Sequence, residues 1–304
     1  MKGRGDRQES QRGSILLPVI LLLLLIATAA TAMTLKARTS LREGATRRDR
    51  LVLAAAADGA VRATALVMAS AAANRASPPF GLDGTPQGCR LDRRRWLTLT
   101  VQDEGGLVDL NKGSPQLIEQ ILRRAGLSAP EAGSLSKAIA AHRADAPQPR
   151  TKPSSGQPNR RQIDPPSADA QDFVLKDEIG DLPGMDAPLF ARLQPLFTTA
   201  NRSAGIDPIV ASPAIRALVP PKELTAAPFD ALTAPSNHSD FTITAQVSTV
   251  SGPSFTRRTL FRLDPASGSS GRFTSWDAPP IMASPVEAAP SSFCQKLAAA
   301  LAEP

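Results

Sequence analysis

Three carboxylates that lie close together in the sequence, Asp103, Glu104 and Asp109, are the first candidates for chemistry. Paired carboxylates can act as a general acid and a general base, and carboxylate oxygens are ligands that calcium prefers. Their spacing is not that of an EF-hand loop, and turns favour Asp and Gly for backbone reasons alone. His142 and His238 belong to no recognisable Ser/His/Asp or Cys/His arrangement. We therefore predict that the chain is not an enzyme and contains no metal-binding motif.

Composition excludes further classes of protein. Two cysteines among 304 residues rule out a disulfide-dense scaffold and a four-cysteine zinc site. Apolar residues make up 42% of the chain, aromatic residues only 4%, and 28 residues are proline. The chain carries 35 Lys and Arg against 28 Asp and Glu, a formal net charge of +7. These values predict small packed units joined by loops.

The N-terminal part contains an uncharged apolar segment from Gly13 to Leu35, preceded by a basic leader. As a helix this segment would cover about 35 Å, which is enough to cross a hydrocarbon core of about 30 Å. A cleaved secretory signal is an alternative, because Ala27 to Ala32 is rich in small residues, but signal apolar regions usually run for about 7–15 residues. A buried helix would need apolar contact on all sides. The length favours a membrane anchor.

The helical pattern continues beyond the apolar segment. Residues 34–74 contain no proline and are rich in Ala, Leu and Arg, which are strong helix formers. We predict one helix from Ser14 to Asn74, with a membrane span followed by a separate amphipathic helix as the alternative. Basic residues stand on both sides of the apolar segment, so charge does not fix the orientation of the span.

The order of a basic leader, Gly13, and an apolar helix that runs on into a charged one resembles type IV pilins and type II secretion pseudopilins. The resemblance implies that a prepilin peptidase cleaves between Gly13 and Ser14 and methylates the new N-terminus at Ser14. Most members have a Glu where this chain has Pro18, and that carboxylate pairs with the terminal amine of a neighbour in the filament. Lack of the Glu is typical of the minor pseudopilin K (GspK) family. Proline is tolerated there because the first helical turn needs no N–H donors.

Three further segments resemble the same family. Residues 56–60, AADGA, are similar to part of its long helix, and residues 103–111, DEGGLVDLN, are similar to its DEGGKVDLN signature, with Leu107 in the Lys position. Residues 182–185 and 193–198 are similar to a third segment, and the whole resemblance covers roughly residues 12–199. The matching positions are Asp58, Gly59, Asp103, Glu104, Gly105, Gly106, Asp109, Asn111, Pro183 and Gly184.

Alternating patterns predict the strands. Residues 96–102 alternate apolar and polar, the following Asp-Glu-Gly-Gly predicts a turn, and residues 107–110 are predicted to return as a second strand. Residues 241–247 and 255–263 predict a later hairpin across the turn Ser-Gly-Pro-Ser.

Capping residues predict the helices of an insertion. Ser114 and Pro115 predict a helix start that Gly126 ends, and Ser128 with Glu131 predicts a second helix to about Arg143. We predict an α+β fold, in which a pilin-like long N-terminal helix packs on a small antiparallel sheet and a helical subdomain (SAM-like or helix-hairpin-helix-like) is inserted. The family's fold implies the same arrangement.

The predicted organisation has six parts. These are a prepilin leader at 1–13, a transmembrane and filament helix at 14–35, its periplasmic continuation at 36–75, the start of the sheet at 76–110, the inserted helical subdomain at 111–199, and the rest of the sheet at 200–304. The stretch 144–170 is predicted to be a loop, and the Pro-rich stretches 211–235 and 278–290 are predicted to separate the pieces of the C-terminal part.

A second hypothesis is a membrane-anchored protein that binds DNA. Residues 126–128 and 184–186 resemble the turn of a helix-hairpin-helix motif, which binds phosphate through backbone N–H groups of a Gly-hydrophobic-Gly turn. Ser128 and Asp186 replace the second Gly, and Asp186 puts a negative charge where the phosphate would lie. Nucleic acid is therefore not the favoured partner.

The resemblance implies a function in assembly. It implies a minor pseudopilin of the type II protein secretion system that caps the tip of the periplasmic pseudopilus and initiates its assembly. The implied partners are the minor pseudopilins I and J, the prepilin peptidase and the inner-membrane secretion platform, with a single inner-membrane span and the body in the periplasm. No cofactor is expected; some members bind calcium in the insertion, but no ligand can be assigned here. Cys89 and Cys294 could pair in an oxidising periplasm or remain free thiols.

Overall fold

The computed structural model describes residues 16–144, 172–250, 252–264, 271–279 and 288–302. The predicted processing site at Gly13 and Ser14 and nearly all of the predicted loop 144–170 lie outside these residues. The chain forms two units, one up to Leu53 and one from Ala54 onwards.

The first unit consists of the N-terminal part of helix α1, which runs over Leu16–Ala73. The apolar side chains near its N-terminal end are exposed; the exposed fraction is 66% for Leu17, 56% for Ile20 and 66% for Leu25. The most apolar 18 residues have a mean hydropathy of 2.3, and none of them is buried. A helix of this length and composition can cross a membrane, where lipid would cover the exposed side chains. The prediction of one continuous helix is confirmed.

The second unit contains a six-stranded sheet. Its strands are β1 (Gln87–Arg90), β2 (Arg95–Asp103), β5 (Asp240–Thr249), β6 (Ser254–Leu263), β7 (Gly271–Phe273) and β8 (Ala289–Pro290). They lie in the order β7-β6-β5-β2-β1-β8, and neighbouring strands are antiparallel except β1 and β8, which are parallel. Strands β5 and β6 form the hairpin that the alternating pattern predicted, and the first predicted strand is β2.

One face of this sheet is apolar and buried, because alternate side chains of a strand point to the same side. Leu97, Leu99, Ile243 and Val247 on this face are at most 1% exposed. Helix α1 joins the sheet through an ion pair in which the Arg257 Nε lies 2.6 Å from a carboxylate oxygen of Asp58. A long N-terminal helix, an antiparallel sheet and further helices confirm the α+β prediction.

The C-terminal helix α7 (Ser292–Ala302) packs against β1. A disulfide joins Cys294 in this helix to Cys89 in β1, across a sequence separation of 205. The rings of Phe80 and Phe293 lie 4.6 Å apart at the start of α7. At its end, a Cβ atom on Gly59 would lie only 2.8 Å from Leu301, so glycine permits close contact between α1 and α7.

A strand forms within the predicted residues 107–110, but the prediction that it returns against the first strand is wrong. After β2, residues Glu104–Gly106 form a short 3-10 turn, and β3 (Val108–Asp109) pairs in parallel with β4 (Phe197–Thr198) in a separate two-stranded sheet. Strand β2 pairs with β1 on one side and with β5 on the other, and β5 matches it over its whole length, from Arg95↔Thr249 to Asp103↔Phe241. The side chain of Asp103 caps the 3-10 turn, and the chain leaves the sheet at this turn.

The inserted helices are α2 (Pro115–Arg124), α3 (Ala129–Ala144) and α4 (Ala187–Leu193). The Ser114 hydroxyl caps α2 by accepting from the Leu117 N–H, and Gly126 follows α2 with a φ of +98°, as its capping role requires. A short 3-10 helix, Lys176–Asp181, precedes α4. The buried core residues of the insertion include Leu117, Ile118, Ile121, Leu122, Ala132, Leu135, Ile139, Ile179 and Leu193.

The same core continues past residue 199. Helices α5 (Pro213–Leu218) and α6 (Pro221–Leu224) contribute Ile215 and Leu224, and Phe229 is 1% exposed. The prediction that the Pro-rich stretch 211–235 only separates other pieces is therefore wrong. Pro213 and Pro221 start these two helices, because the first helical position needs no N–H donor.

Loss of the disulfide should destabilise the second unit strongly. We expect the double variant Cys89→Ser/Cys294→Ser to lose up to about 5 kcal/mol of unfolding free energy, since opening so long a loop increases the entropy of the unfolded chain. Thermal unfolding followed by circular dichroism measures this loss. The wild-type protein with reductant is the control and should unfold at the temperature of the double variant. Equal melting temperatures with and without the disulfide would contradict the expectation.

Candidate functional site

The segment that connects the sheet to the insertion contains the carboxylates singled out from the sequence. It runs from the end of β2 to the residue before α2, residues 103–114. Asp103 and Asp109 are 1% exposed and Glu104 is 4% exposed. We call residues 103–111 and the side chains that bind them the junction. Carboxylates buried so deeply require hydrogen bonds, since an unpaired buried charge is costly.

Asp103 connects the 3-10 turn to the segment that precedes β5. One carboxylate oxygen accepts from the Gly105 N–H at 2.8 Å and from the Ser236 hydroxyl at 2.7 Å. The other lies 2.5 Å from Nδ1 of His238, whose side chain is half exposed. Both oxygens are thus used to hold the backbone and neighbouring side chains in place.

Asp109 and Asn111 connect the start of the insertion to two distant segments. Asp109 accepts from the N–H groups of Asn111 and Lys112 with one oxygen and from the Arg202 N–H at 2.9 Å with the other. The Asn111 side chain donates to the Phe173 carbonyl at 3.0 Å and accepts from the Phe173 N–H at 2.8 Å. These bonds join positions up to 93 residues apart, so they hold the two ends of the insertion together.

Glu104 is a carboxylate of the junction whose pKa is changed by burial. The Thr198 hydroxyl donates to one of its oxygens. Burial raises the pKa of Glu104 above its ordinary value of 4.5, and the hydroxyls of Thr198 and Thr242 and the charge of Lys176 oppose this rise. Burial and the nearby Arg258 lower the pKa of Lys176. The environment therefore favours the protonated form of Glu104 more than water does.

The glycines of the junction are required by close packing. A Cβ atom on Gly106 would collide with the backbone carbonyl of Val210, and one on Gly105 would collide with the Ser236 side chain. The Ser212 N–H also donates to the Gly106 carbonyl at 3.3 Å. The pair Gly105-Gly106 thus allows residues from beyond the insertion to lie directly on the turn.

Sequence reasoning missed the polar residues that complete the junction. Asn201 donates to the Leu107 carbonyl at 2.7 Å, and Asp207 accepts from the Ser236 N–H at 2.8 Å. Both are at most 6% exposed. The sequence gives little sign of them, because residues 201–207, NRSAGID, mix polar and apolar types without a regular pattern.

The junction has the chemistry of a structural element. In the described part of the chain, no group of three or more His, Cys, Asp or Glu residues could hold a metal ion. The Ser236 hydroxyl donates to Asp103, so Asp103, His238 and Ser236 are not arranged as a nucleophile, base and orienting acid. Asp103 and Asp109 already accept hydrogen bonds on both of their oxygens.

The other positions that match the family segments lie on helices and at a turn. Asp58 pairs with Arg257, and its neighbour Gly59 contacts Leu301. Pro183 and Gly184 form an exposed turn before α4, where Gly184 has a φ of +85°. Pro18 lies in the first described turn of α1.

The helix N-termini that a DNA phosphate would need are occupied by acidic side chains. At the start of α3, Glu131 accepts from the Ser128 N–H at 2.8 Å and from its hydroxyl at 2.6 Å, and these bonds lower the pKa of Glu131. At the start of α4, Asp186 accepts from the Leu189 N–H at 2.8 Å. A phosphate would have to displace a carboxylate at each helix, which disfavours the DNA-binding hypothesis.

The fold and the junction define an α+β protein with an N-terminal helix of membrane-spanning length and an inserted helical part. No family model and no curated protein matches the chain. Among solved structures, it is similar to a chain of the GspK-GspI-GspJ complex from the type 2 secretion system of enterotoxigenic Escherichia coli. The two are 15% identical, with a TM-score of 0.48, and the match covers 79% of this chain and 99% of that chain.

Replacement of glycine by alanine should change the stability of the protein in opposite directions at Gly106 and Gly133. Gly106→Ala should destabilise the protein by about 1–3 kcal/mol, because the added Cβ overpacks the turn against Val210. Gly133→Ala is the matched control: it lies within α3 with no atom within 4 Å of the added Cβ, and it should stabilise by up to about 1 kcal/mol. Urea unfolding measures both values. A Gly106→Ala variant as stable as the wild type would rule out the close approach.

The stability contributed by Glu104 should depend on pH. Because burial raises its pKa in the folded state, the wild type should lose stability as pH rises from 4.5 through the folded-state pKa. The neutral variant Glu104→Gln should be close to the wild type at about pH 4 and should gain relative to it towards about pH 8. Unfolding free energies at both pH values test this, with Glu119→Gln on α2 as the control. If the stability of Glu104→Gln relative to the wild type fell towards high pH, the expected direction of the pH dependence would be wrong.

Proposed function

We propose that the chain is a minor pseudopilin of the K type that caps the tip of the pseudopilus in a type II secretion system and initiates its assembly. The observation that carries the proposal is helix α1, which has two different environments. Its N-terminal part is apolar and exposed, whereas Ala57, Ala60 and Val61 further along are completely buried. A pseudopilin needs this combination, because its helix is first a membrane anchor, then a filament contact, and also the core helix of its body.

Two features of the chain support the proposed tip position. Pro18 replaces the Glu whose carboxylate pairs with the terminal amine of a neighbour in related filaments, so this chain lacks that interaction. In its described residues, 111–144 and 172–199, the insertion adds helices α2, α3 and α4 beyond the sheet and the long helix. A subunit with such a body leaves little room for another subunit above it, and it can begin a filament by recruiting subunits below.

We place the chain in the inner membrane with a single span and with its body in the periplasm. The Cys89–Cys294 disulfide fits an oxidising compartment. The proposed partners are the minor pseudopilins I and J and the inner-membrane platform, and the prepilin peptidase would process the chain between Gly13 and Ser14. In this proposal the protein is not an enzyme and acts by being assembled.

Mass spectrometry of the mature N-terminus tests the proposal directly. When the chain is expressed together with its prepilin peptidase, we expect the mature protein to begin with Ser14 and to carry one N-methyl group. The variant Gly13→Val is the control and should keep its leader, because the peptidase cuts after the glycine. A mature end near Ala32 would show an ordinary secreted protein and would overturn the proposal.

A further inference from the structure

The tips of two neighbouring hairpins form an exposed basic surface. Arg90, Arg93 and Arg94 lie at the β1–β2 tip, and all three are exposed. Val250 lies at the β5–β6 tip, is 78% exposed, and donates its N–H to the Arg94 carbonyl at 3.0 Å. We call these four residues the arginine patch.

The β1–β2 tip is held in a fixed conformation by Asp92. One carboxylate oxygen accepts from the N–H groups of Arg94 and Arg95, both at 2.8 Å. The other forms a two-pronged ion pair with Arg95, with both nitrogens at 2.7 Å. The bond from the Arg94 N–H is the main one that lowers the pKa of Asp92. Because the turn is fixed by hydrogen bonds from backbone N–H groups to the Asp92 side chain, the side chains of Arg93 and Arg94 are not needed to form it.

The arginines of the patch have no acidic partner in the part of the chain that the structure describes. Other arginines of the body do have one: Arg257 pairs with Asp58, and Arg262 pairs with Asp240. The nearest acid, Asp92, is already bound to Arg95. The Arg90 guanidinium donates one hydrogen bond to the Arg93 carbonyl at 3.4 Å, which leaves its charge without an acidic partner. Guanidinium groups bind carboxylates with two parallel hydrogen bonds, so three that have no acidic partner can bind an acidic surface.

The patch lies at the end of the second unit where α1 enters it. Asp58, near the start of α1 in this unit, pairs with Arg257, the fourth residue of β6 after the β5–β6 tip. The chain that follows α1 reaches the opposite end of the sheet, where the Leu82 carbonyl accepts from the Asp103 N–H. A subunit that caps a filament has neighbours only on the side from which its helix enters.

We infer that the arginine patch binds a carboxylate-rich surface of the pseudopilin subunit that lies below this chain in the pseudopilus. This inference rests on the proposed function. Val250 adds an exposed apolar contact among the arginines, as in a protein interface with a charged rim. Three basic residues are fewer than the roughly four to eight that typically bind anionic lipid, and a DNA-binding surface usually makes more phosphate contacts still.

Reversal of charge at the tip tests the inference. The full-length chain in detergent is titrated with full-length minor pseudopilins I and J, and the affinity is measured at several salt concentrations. Arg93→Glu/Arg94→Glu should lower the affinity by about tenfold or more and should reduce its salt dependence. Lys137→Glu/Arg192→Glu, which reverses two exposed charges on the insertion, is the matched control and should bind like the wild type. Circular dichroism confirms that each variant is folded.

Each other outcome contradicts the inference in a distinguishable way. If the tip variant binds the partners as tightly as the wild type does, the inference is overturned and the proposed function remains intact. The same holds if the control variant loses as much affinity as the tip variant, because the loss would then reflect net charge alone. Loss of binding to phosphatidylglycerol vesicles with unchanged partner affinity would assign the patch to lipid. If the wild-type chain does not bind I and J at all, the inference fails together with the proposed partners.

Discussion

The second unit depends on buried carboxylates that bind backbone N–H groups where the chain leaves the sheet. Asp103 binds the N–H of Gly105, and Asp109 binds those of Asn111, Lys112 and Arg202. A charged acceptor makes a stronger hydrogen bond than a neutral one, and a buried N–H without a partner would be costly. Since Arg202 lies beyond the insertion and Lys112 at its start, one carboxylate brings its two ends together. The inserted helices can then pack without disturbing β2.

This use of the carboxylates explains why an acidic segment need not be a reactive one. Residue types alone suggested acid–base chemistry or calcium, because the sequence shows which groups are present and not what they bind. In the structure both oxygens of Asp109 accept backbone N–H groups, and those of Asp103 are bound by a backbone N–H, a hydroxyl and a histidine. A metal ion would have to compete with all of these donors. The acidic residues therefore fix the backbone.

The features that could be predicted from the sequence depend on residues close together in the chain, and those that could not depend on contacts between distant residues. The β5–β6 hairpin and the cap at Ser114 follow from patterns within about ten residues, so they were predicted correctly. The partner of residues 107–110 was predicted wrongly, because Gly105-Gly106 has the composition of a hairpin turn. Those glycines are instead required by Val210 and Ser236, about a hundred residues further along the chain. Ser212-Pro213 repeats the signal of Ser114-Pro115 and could have revealed α5.

The part of α1 that belongs to the body packs through small side chains. Where α1 belongs to the body, its buried side chains are mostly small, as in Ala57, Ala60 and Ala65, and Gly59 lies against Leu301. Small side chains bring helices and strands close together, but each buries little apolar area, so such a core contributes less free energy than a core of large residues. A cross-link that restricts the unfolded chain offsets part of this difference. The disulfide between Cys89 and Cys294 attaches α7 to the strand next to β2, so it stabilises the side of the core where α1 supplies the smallest side chains.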